Sequence, residues 1–143
     1  MRPKVLFVCI HNSARSQMAE AFLKQLAGDR FDVYSAGITA GALNPYVVAA
    51  MKEIGYNIEA NVTKTVFDRA IAENEYEYVI TVCEESDAQP CPIFPTRGVR
   101  LNWHFADPSQ FKGSGDEIIA RVRDVRDQIK AQVERWCSTI SNR

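Results

Sequence analysis

Short apolar runs separated by polar breaks alternate with longer stretches in which apolar residues recur every three or four positions. Residues 4–8 (KVLFV) read as a buried strand. Residues 13–26 read as a helix, with Met18, Ala21 or Phe22, and Leu26 at helical spacing and Gly28 as its stop. FDVYSA, residues 31–36, is a second strand closed by Gly37. Asn44-Pro45 marks a helix start, a capping side chain followed by proline in the first turn. Val47, Val48, Met51 and Ile54 form its apolar face, and Gly55 ends it. Residues 65–72 suggest a short helix. YVITV, residues 78–82, is β-branched or apolar throughout and reads as a strand, as does 99–105. A long amphipathic helix covers 116–136, with Ile118, Val122, Val125, Ile129, Val133 and Trp136 on one stripe.

Strands that alternate with helices predict an α/β fold with a mainly parallel sheet of four strands, covered on both faces. In such a sheet every strand ends on the same edge, and ligands bind there. Cys9 follows the first strand, Cys83 follows YVITV, and Asp107 comes shortly after the fourth strand. The topology therefore gathers residues that are distant in sequence onto one rim. The chain has 143 residues without repeats or linkers, which suits a single domain over 1–143.

Composition removes several function classes. A net charge of −1 argues against broad nucleic-acid binding, which needs a strongly basic surface. No segment approaches the roughly 20 apolar residues that span a bilayer. The apolar run 5–10 is too short for a signal-peptide core, so no membrane association and a cytoplasmic location are expected. There the four cysteines, Cys9, Cys83, Cys91 and Cys137, are expected to be mainly reduced, serving either packing or chemistry. The spacing Cys83-x7-Cys91 is not that of a zinc site, and no histidine pair accompanies it. No metal or other cofactor is expected. His11 and His104 read as hydrogen-bonding or packing residues, and Cys137 as passive.

The chemistry is concentrated in Cys9-Ile10-His11-Asn12-Ser13-Ala14-Arg15-Ser16, which joins a strand to a helix N-terminus. Free amides and the positive dipole end point into such a loop. A tetrahedral oxyanion fits among those amides, with Arg15 as a bidentate donor. The same field favours a thiolate, making Cys9 a nucleophile at neutral pH. Ser16 is placed to donate to that thiolate, and Asn12 to brace the loop. The plain alternative is a buried cysteine in an ordinary strand-to-helix turn. Plain alternatives also exist elsewhere: Cys83 as a packed strand end, Cys91 as a loop residue between Pro90 and Pro92, and Asp107-Pro108 as a turn or helix cap.

CIHNSARS followed by QMAEAF resembles the low-molecular-weight protein tyrosine phosphatase fold, and within it the thioredoxin-coupled arsenate reductases. YSAGI, MKEIG, VITVC with a later CP, NWHFADP and RVRDVRDQI extend the resemblance over nearly the whole chain. It implies a three-layer α/β/α sandwich that reduces arsenate, with phosphate or sulfate as competing oxyanions; a monomer is expected, since packing on the sheet accounts for the apolar stripe of the last helix. It also implies roles. Cys9 attacks arsenate held by the loop amides and Arg15, and Asp107 serves as general acid. Cys83 then attacks Cys9, and Cys91 attacks Cys83 to leave a disulfide for thioredoxin. The sequence itself leaves the reductant open: if Cys91 is idle, glutathione with glutaredoxin takes that place.

The sequence also departs from the pattern. Seven residues separate Cys83 from Cys91, one more than in the reductases it resembles. Ala14 stands where some members have a further cysteine. Members that bind potassium use positions matching Asn12, Glu20, Thr63 and Lys64. A lysine at the last of these, where they carry a carboxylate, predicts no potassium dependence. Ser109 and Gln110 replace the tyrosine pair of the phosphatases, so phosphotyrosine hydrolysis is the runner-up, with residual activity on small aryl phosphates expected. A phosphocarrier module is a third reading, disfavoured by the pairing of Arg15 with Asp107.

Overall fold

The computed structural model describes residues 2–82 and 96–141. In chain order the elements are β1 (Lys4–Cys9), α1 (Arg15–Ala27), β2 (Asp32–Gly37), α2 (Pro45–Glu53), α3 (Arg69–Ala72), β3 (Tyr78–Val82), β4 (Val99–Trp103), a 3-10 turn over Pro108–Gln110 and α4 (Gly115–Ser141). The sheet order is β2-β1-β3-β4, and every pairing is parallel. Cys9 pairs with Gly37, and Val82 with Trp103, so the four strands end on one edge.

Side chains alternate across the central strand, as the pleat requires. Val5, Phe7 and Cys9 face a large core shared with α1, α2 and α4. Leu6 and Val8 face a smaller cluster with Ala36, Ile71, Tyr76 and Val79, closed by α3. Helices on both faces make the three-layer α/β/α sandwich. An aromatic group of Phe7, Phe31, Tyr78, Trp103 and Trp136 fills the space between the sheet and α4.

The predicted elements recur with local corrections. Asn44 caps α2 through Oδ1, which accepts from the amides of Tyr46 and Val47. Gly55 follows that helix at φ +90°, a conformation glycine adopts freely. The buried face of α2 is Val47, Ala50 and Met51, whereas Ile54 is exposed because it falls where the helix has already ended. On α1, Leu26 is exposed and Met18, Ala19, Phe22, Leu23 and Ala27 carry the burial. That helix begins at Arg15, because residues 10–14 are held in the site loop.

Only 69–72 of the predicted 65–72 helix is helical. Thr65 instead bridges Gly37 as a short extension of the sheet. β4 stops at Trp103, two residues early, and α4 runs past Trp136 to Ser141. Among the described residues no helix is long and apolar enough to cross a membrane.

Candidate active site

The loop from Cys9 to Arg15 owes its shape to carbonyls that are pulled outward. The Ile10 carbonyl accepts from the amides of Ile38 and Thr39 at 2.8 and 3.1 Å. Those of His11 and Ser13 each accept at 3.0 Å, from Gly41 and Asn44 respectively. No described peptide is cis. In a planar trans peptide the carbonyl and the following N–H point in opposite directions. The amides of His11, Asn12 and Ala14 are thus turned inward, and that of Asn12 donates to Cys9 Sγ at 3.2 Å.

The helix end adds to this field. Ala14 stands at the N-cap of α1, and no side chain caps it. The first amides of a helix lack internal partners, and an alanine there cannot satisfy them. A helix start of this kind suits an anion.

Behind the loop lies a buried polar network. Cys9 Sγ and Ser16 Oγ are 2.8 Å apart. Asn12, at φ 54°, is the one described non-glycine residue with positive φ. Its Nδ2 donates to Ser16 Oγ at 2.8 Å and Ser35 Oγ at 3.0 Å, while its Oδ1 accepts from Gln17 Nε2 at 3.0 Å and the Lys64 amide at 2.9 Å. Four bonds from one side chain hold a backbone conformation that costs energy outside glycine. Ser35 donates onward to Glu20, whose other oxygen meets the Lys24 ammonium at 2.5 Å. Gln17 donates to the Val62 carbonyl and accepts from Asn61. Thr63 donates to the Gly41 carbonyl, and the Lys64 ammonium to the Val62 carbonyl. Every buried polar side-chain atom among the described residues has a partner, as a rigid network requires.

Gly37 allows the loop to lie on the end of β2. A Cβ there would sit 2.6 Å from the Ile10 carbonyl oxygen and 2.7 Å from the Asn12 nitrogen.

Arg15 and Asp107 complete the site. Arg15 Nη1 donates to the Phe105 carbonyl at 3.0 Å, and Nη2 lies 3.4 Å from Asp107 Oδ2. Cys9, Arg15 and Asp107 are all buried. Asp107 caps the Pro108–Gln110 turn, its Oδ1 accepting from Ser109 N at 3.0 Å and Ser109 Oγ at 2.8 Å. The loop thus holds a buried thiol that meets the Asn12 amide, and the adjoining helix start holds a buried guanidinium paired with a carboxyl, groups whose chemistry suits nucleophilic attack, oxyanion binding and proton donation.

The structure thus brings together Cys9, Ile10, His11, Asn12, Ser13, Ala14, Arg15, Ser16 and Asp107. Cys83 and Cys91 lie outside the described residues. His11 is partly exposed, with Nδ1 2.8 Å from Thr39 Oγ1. His104 is exposed just after β4. Cys137 is a buried thiol on α4 that accepts from Arg30 Nη2 at 3.0 Å. Among the described residues no cluster of histidine, cysteine and carboxylate side chains can hold a metal ion. Sequence reasoning missed Ser35, Gln17 and the Phe105 carbonyl, and it gave Ser109 no contact with Asp107. Only the small residues of Ser35-Ala36-Gly37 hinted that another chain segment comes close there.

Comparison with known proteins agrees with this geometry. Residues 4–143 match the model of the low molecular weight phosphotyrosine protein phosphatase family. The chain is 42% identical over 135 residues to an arsenate reductase of Bacillus subtilis (strain 168), covering 94% of this chain and 95% of that one. A solved arsenate reductase in the phosphate binding state superposes with a TM-score of 0.75 at 30% identity, covering 96% of this chain and 98% of the other. A thioredoxin-dependent arsenate reductase of Corynebacterium glutamicum gives a TM-score of 0.58 at 30% identity, over 93% of this chain and 62% of that one.

Proposed function

This chain belongs to the low molecular weight phosphotyrosine protein phosphatase family, and on that premise we propose that it is an arsenate reductase, working through a Cys9–Cys83–Cys91 thiol relay that thioredoxin regenerates. Arsenate enters the amide cradle, and Arg15 donates to two of its oxygens. The Cys9 thiolate attacks arsenic. Asp107 gives its proton to the departing oxygen, which leaves as water, and a sulfur–arsenic(V) bond remains. The Cys83 thiolate then attacks Cys9 Sγ. A disulfide forms, the sulfur–arsenic bond breaks, and its electron pair stays on arsenic, which departs as arsenite. The Cys91 thiolate attacks Cys83, freeing Cys9 and leaving a Cys83–Cys91 disulfide for a dithiol protein to reduce.

The observation that carries this reading is the register of β1 and β3. Val8 pairs with Thr81, so Cys9 and Val82 are each one step further along adjacent parallel strands. In sequence, Cys83 directly follows Val82, the last residue of β3. A second thiol is therefore tied in sequence to the strand beside the nucleophile. The naming of the relatives as arsenate reductases supports the same choice. The relay must be returned to its thiol state at each turnover, which fits a reducing cytoplasm.

The test supplies arsenate, thioredoxin, thioredoxin reductase and NADPH, and follows NADPH loss. Wild type turns over, and C83S and C91S do not, while hydrolysis of an aryl phosphate is the same in all three. Arsenate turnover undiminished in either variant contradicts the relay. The nucleophile, guanidinium and acid are complete without Cys83 and Cys91. That supports a second activity on small aryl phosphates.

A further inference from the structure

We infer that Ser109 is a positioning residue that decides which oxygen of Asp107 carries the catalytic proton. This rests on the arsenate reductase reading above. Asp107 Oδ1 accepts two hydrogen bonds from Ser109, one from the amide at 3.0 Å and one from the hydroxyl at 2.8 Å. Oδ2 instead faces the guanidinium that clamps the substrate, 3.4 Å from Arg15 Nη2. A protonated carboxyl carries its hydrogen on one oxygen. A proton on Oδ1 would meet two hydrogens directed there from 3.0 and 2.8 Å, whereas Oδ2 has the longer 3.4 Å approach of the guanidinium. The doubly engaged oxygen is left as acceptor, and the proton resides on Oδ2, the oxygen beside the clamp. The backbone amide alone is the ordinary bond of a capping aspartate. The hydroxyl is the additional constraint. In this chain the residue after Asp107-Pro108 therefore acts on the acid itself.

The experiment compares wild type, S109A, S109T, D107N and the double variant S109A/D107N. It measures kcat and KM for arsenate in the thioredoxin-coupled assay, inhibition by inorganic phosphate, and thermal melting. S109A is expected to lose roughly tenfold in kcat, about one hydrogen bond's worth, with KM and phosphate inhibition within twofold of wild type. S109T keeps the hydroxyl and restores kcat to within about threefold. The double variant is no slower than D107N, because without an acid there is nothing left to orient. Wild-type turnover together with an unchanged S109A overturns the inference. So does a loss that appears only in KM, or one that recurs in full on the D107N background. Absence of arsenate turnover in the wild type overturns the parent reading instead, which keeps the two failures distinct.

Discussion

The guanidinium of Arg15 and the Oδ2 atom of Asp107 lie 3.4 Å apart, with both side chains buried. An oxyanion entering the site must share Arg15 with the Asp107 carboxyl already beside it. D107N removes the proton that this carboxyl gives to the departing oxygen. The kcat for arsenate is expected to fall by about 100-fold or more, with phosphate inhibition within a few-fold of wild type. Unchanged turnover would remove Asp107 from the role of acid.

Ser16 Oγ stands 2.8 Å from Cys9 Sγ. A hydroxyl there stabilises the thiolate by a charge-assisted bond. S16A is expected to slow alkylation of Cys9 by iodoacetamide at neutral pH by roughly tenfold, read by mass spectrometry of the Cys9 peptide. An alkylation rate equal to wild type would show that the amides alone sustain the nucleophile.

Gly37 is a contact residue for the loop. G37A places a methyl group 2.6 Å from the Ile10 carbonyl oxygen, and backbone must move to relieve it. The expected cost is about 1–3 kcal/mol in urea unfolding, with weakened phosphate binding, because the displaced atoms belong to the loop proposed to hold the oxyanion. A variant with wild-type stability and phosphate affinity would show that the loop tolerates displacement.

Tyr76 connects pH to stability on the other face of the sheet. Its hydroxyl donates to the Ile71 carbonyl at 2.7 Å, and burial pushes its pKa up to about 12. The unfolded phenol titrates near 10. A pKa raised by folding means the folded state favours the neutral form. The contribution is whole below about pH 10 and is lost as pH rises through 12. The melting temperature should fall across that interval, and Y76F should fall less steeply. At neutral pH Y76F should cost about 1 kcal/mol, the value of the lost hydrogen bond. Parallel melting curves for the two proteins from pH 9 to 12 would refute the assignment.

Local chemistry explains what was legible from sequence. Alternating apolar runs place β1, β2 and β3 within a residue or two of their observed limits, because burial on both faces leaves few polar residues in a parallel strand. Asn44-Pro45 and Gly55 mark α2 because capping and left-handed turns depend on the residue itself. The span from Cys9 to Ser16 is readable as a loop between a strand end and a helix start because these are contiguous. Errors fall where distant segments decide the outcome. Thr65 joins Gly37 in a bridge, Leu26 lies on the open side of α1, and Ile54 lies beyond the end of its helix.

By itself the sequence determined the element types, the thiol-and-arginine loop and the single sheet edge toward which its strands lead, since these follow from patterns a few residues long. Only the tertiary structure decided that Asn12 is pinned by Ser35, Gln17 and Lys64, and that Phe105 and Asp107 share Arg15. Only it decided that Ser109 binds just one oxygen of the acid. Hydrogen bonds reach about 3 Å and require direction, so their partners are chosen by how the sheet and its loops come together rather than by neighbourhood along the chain.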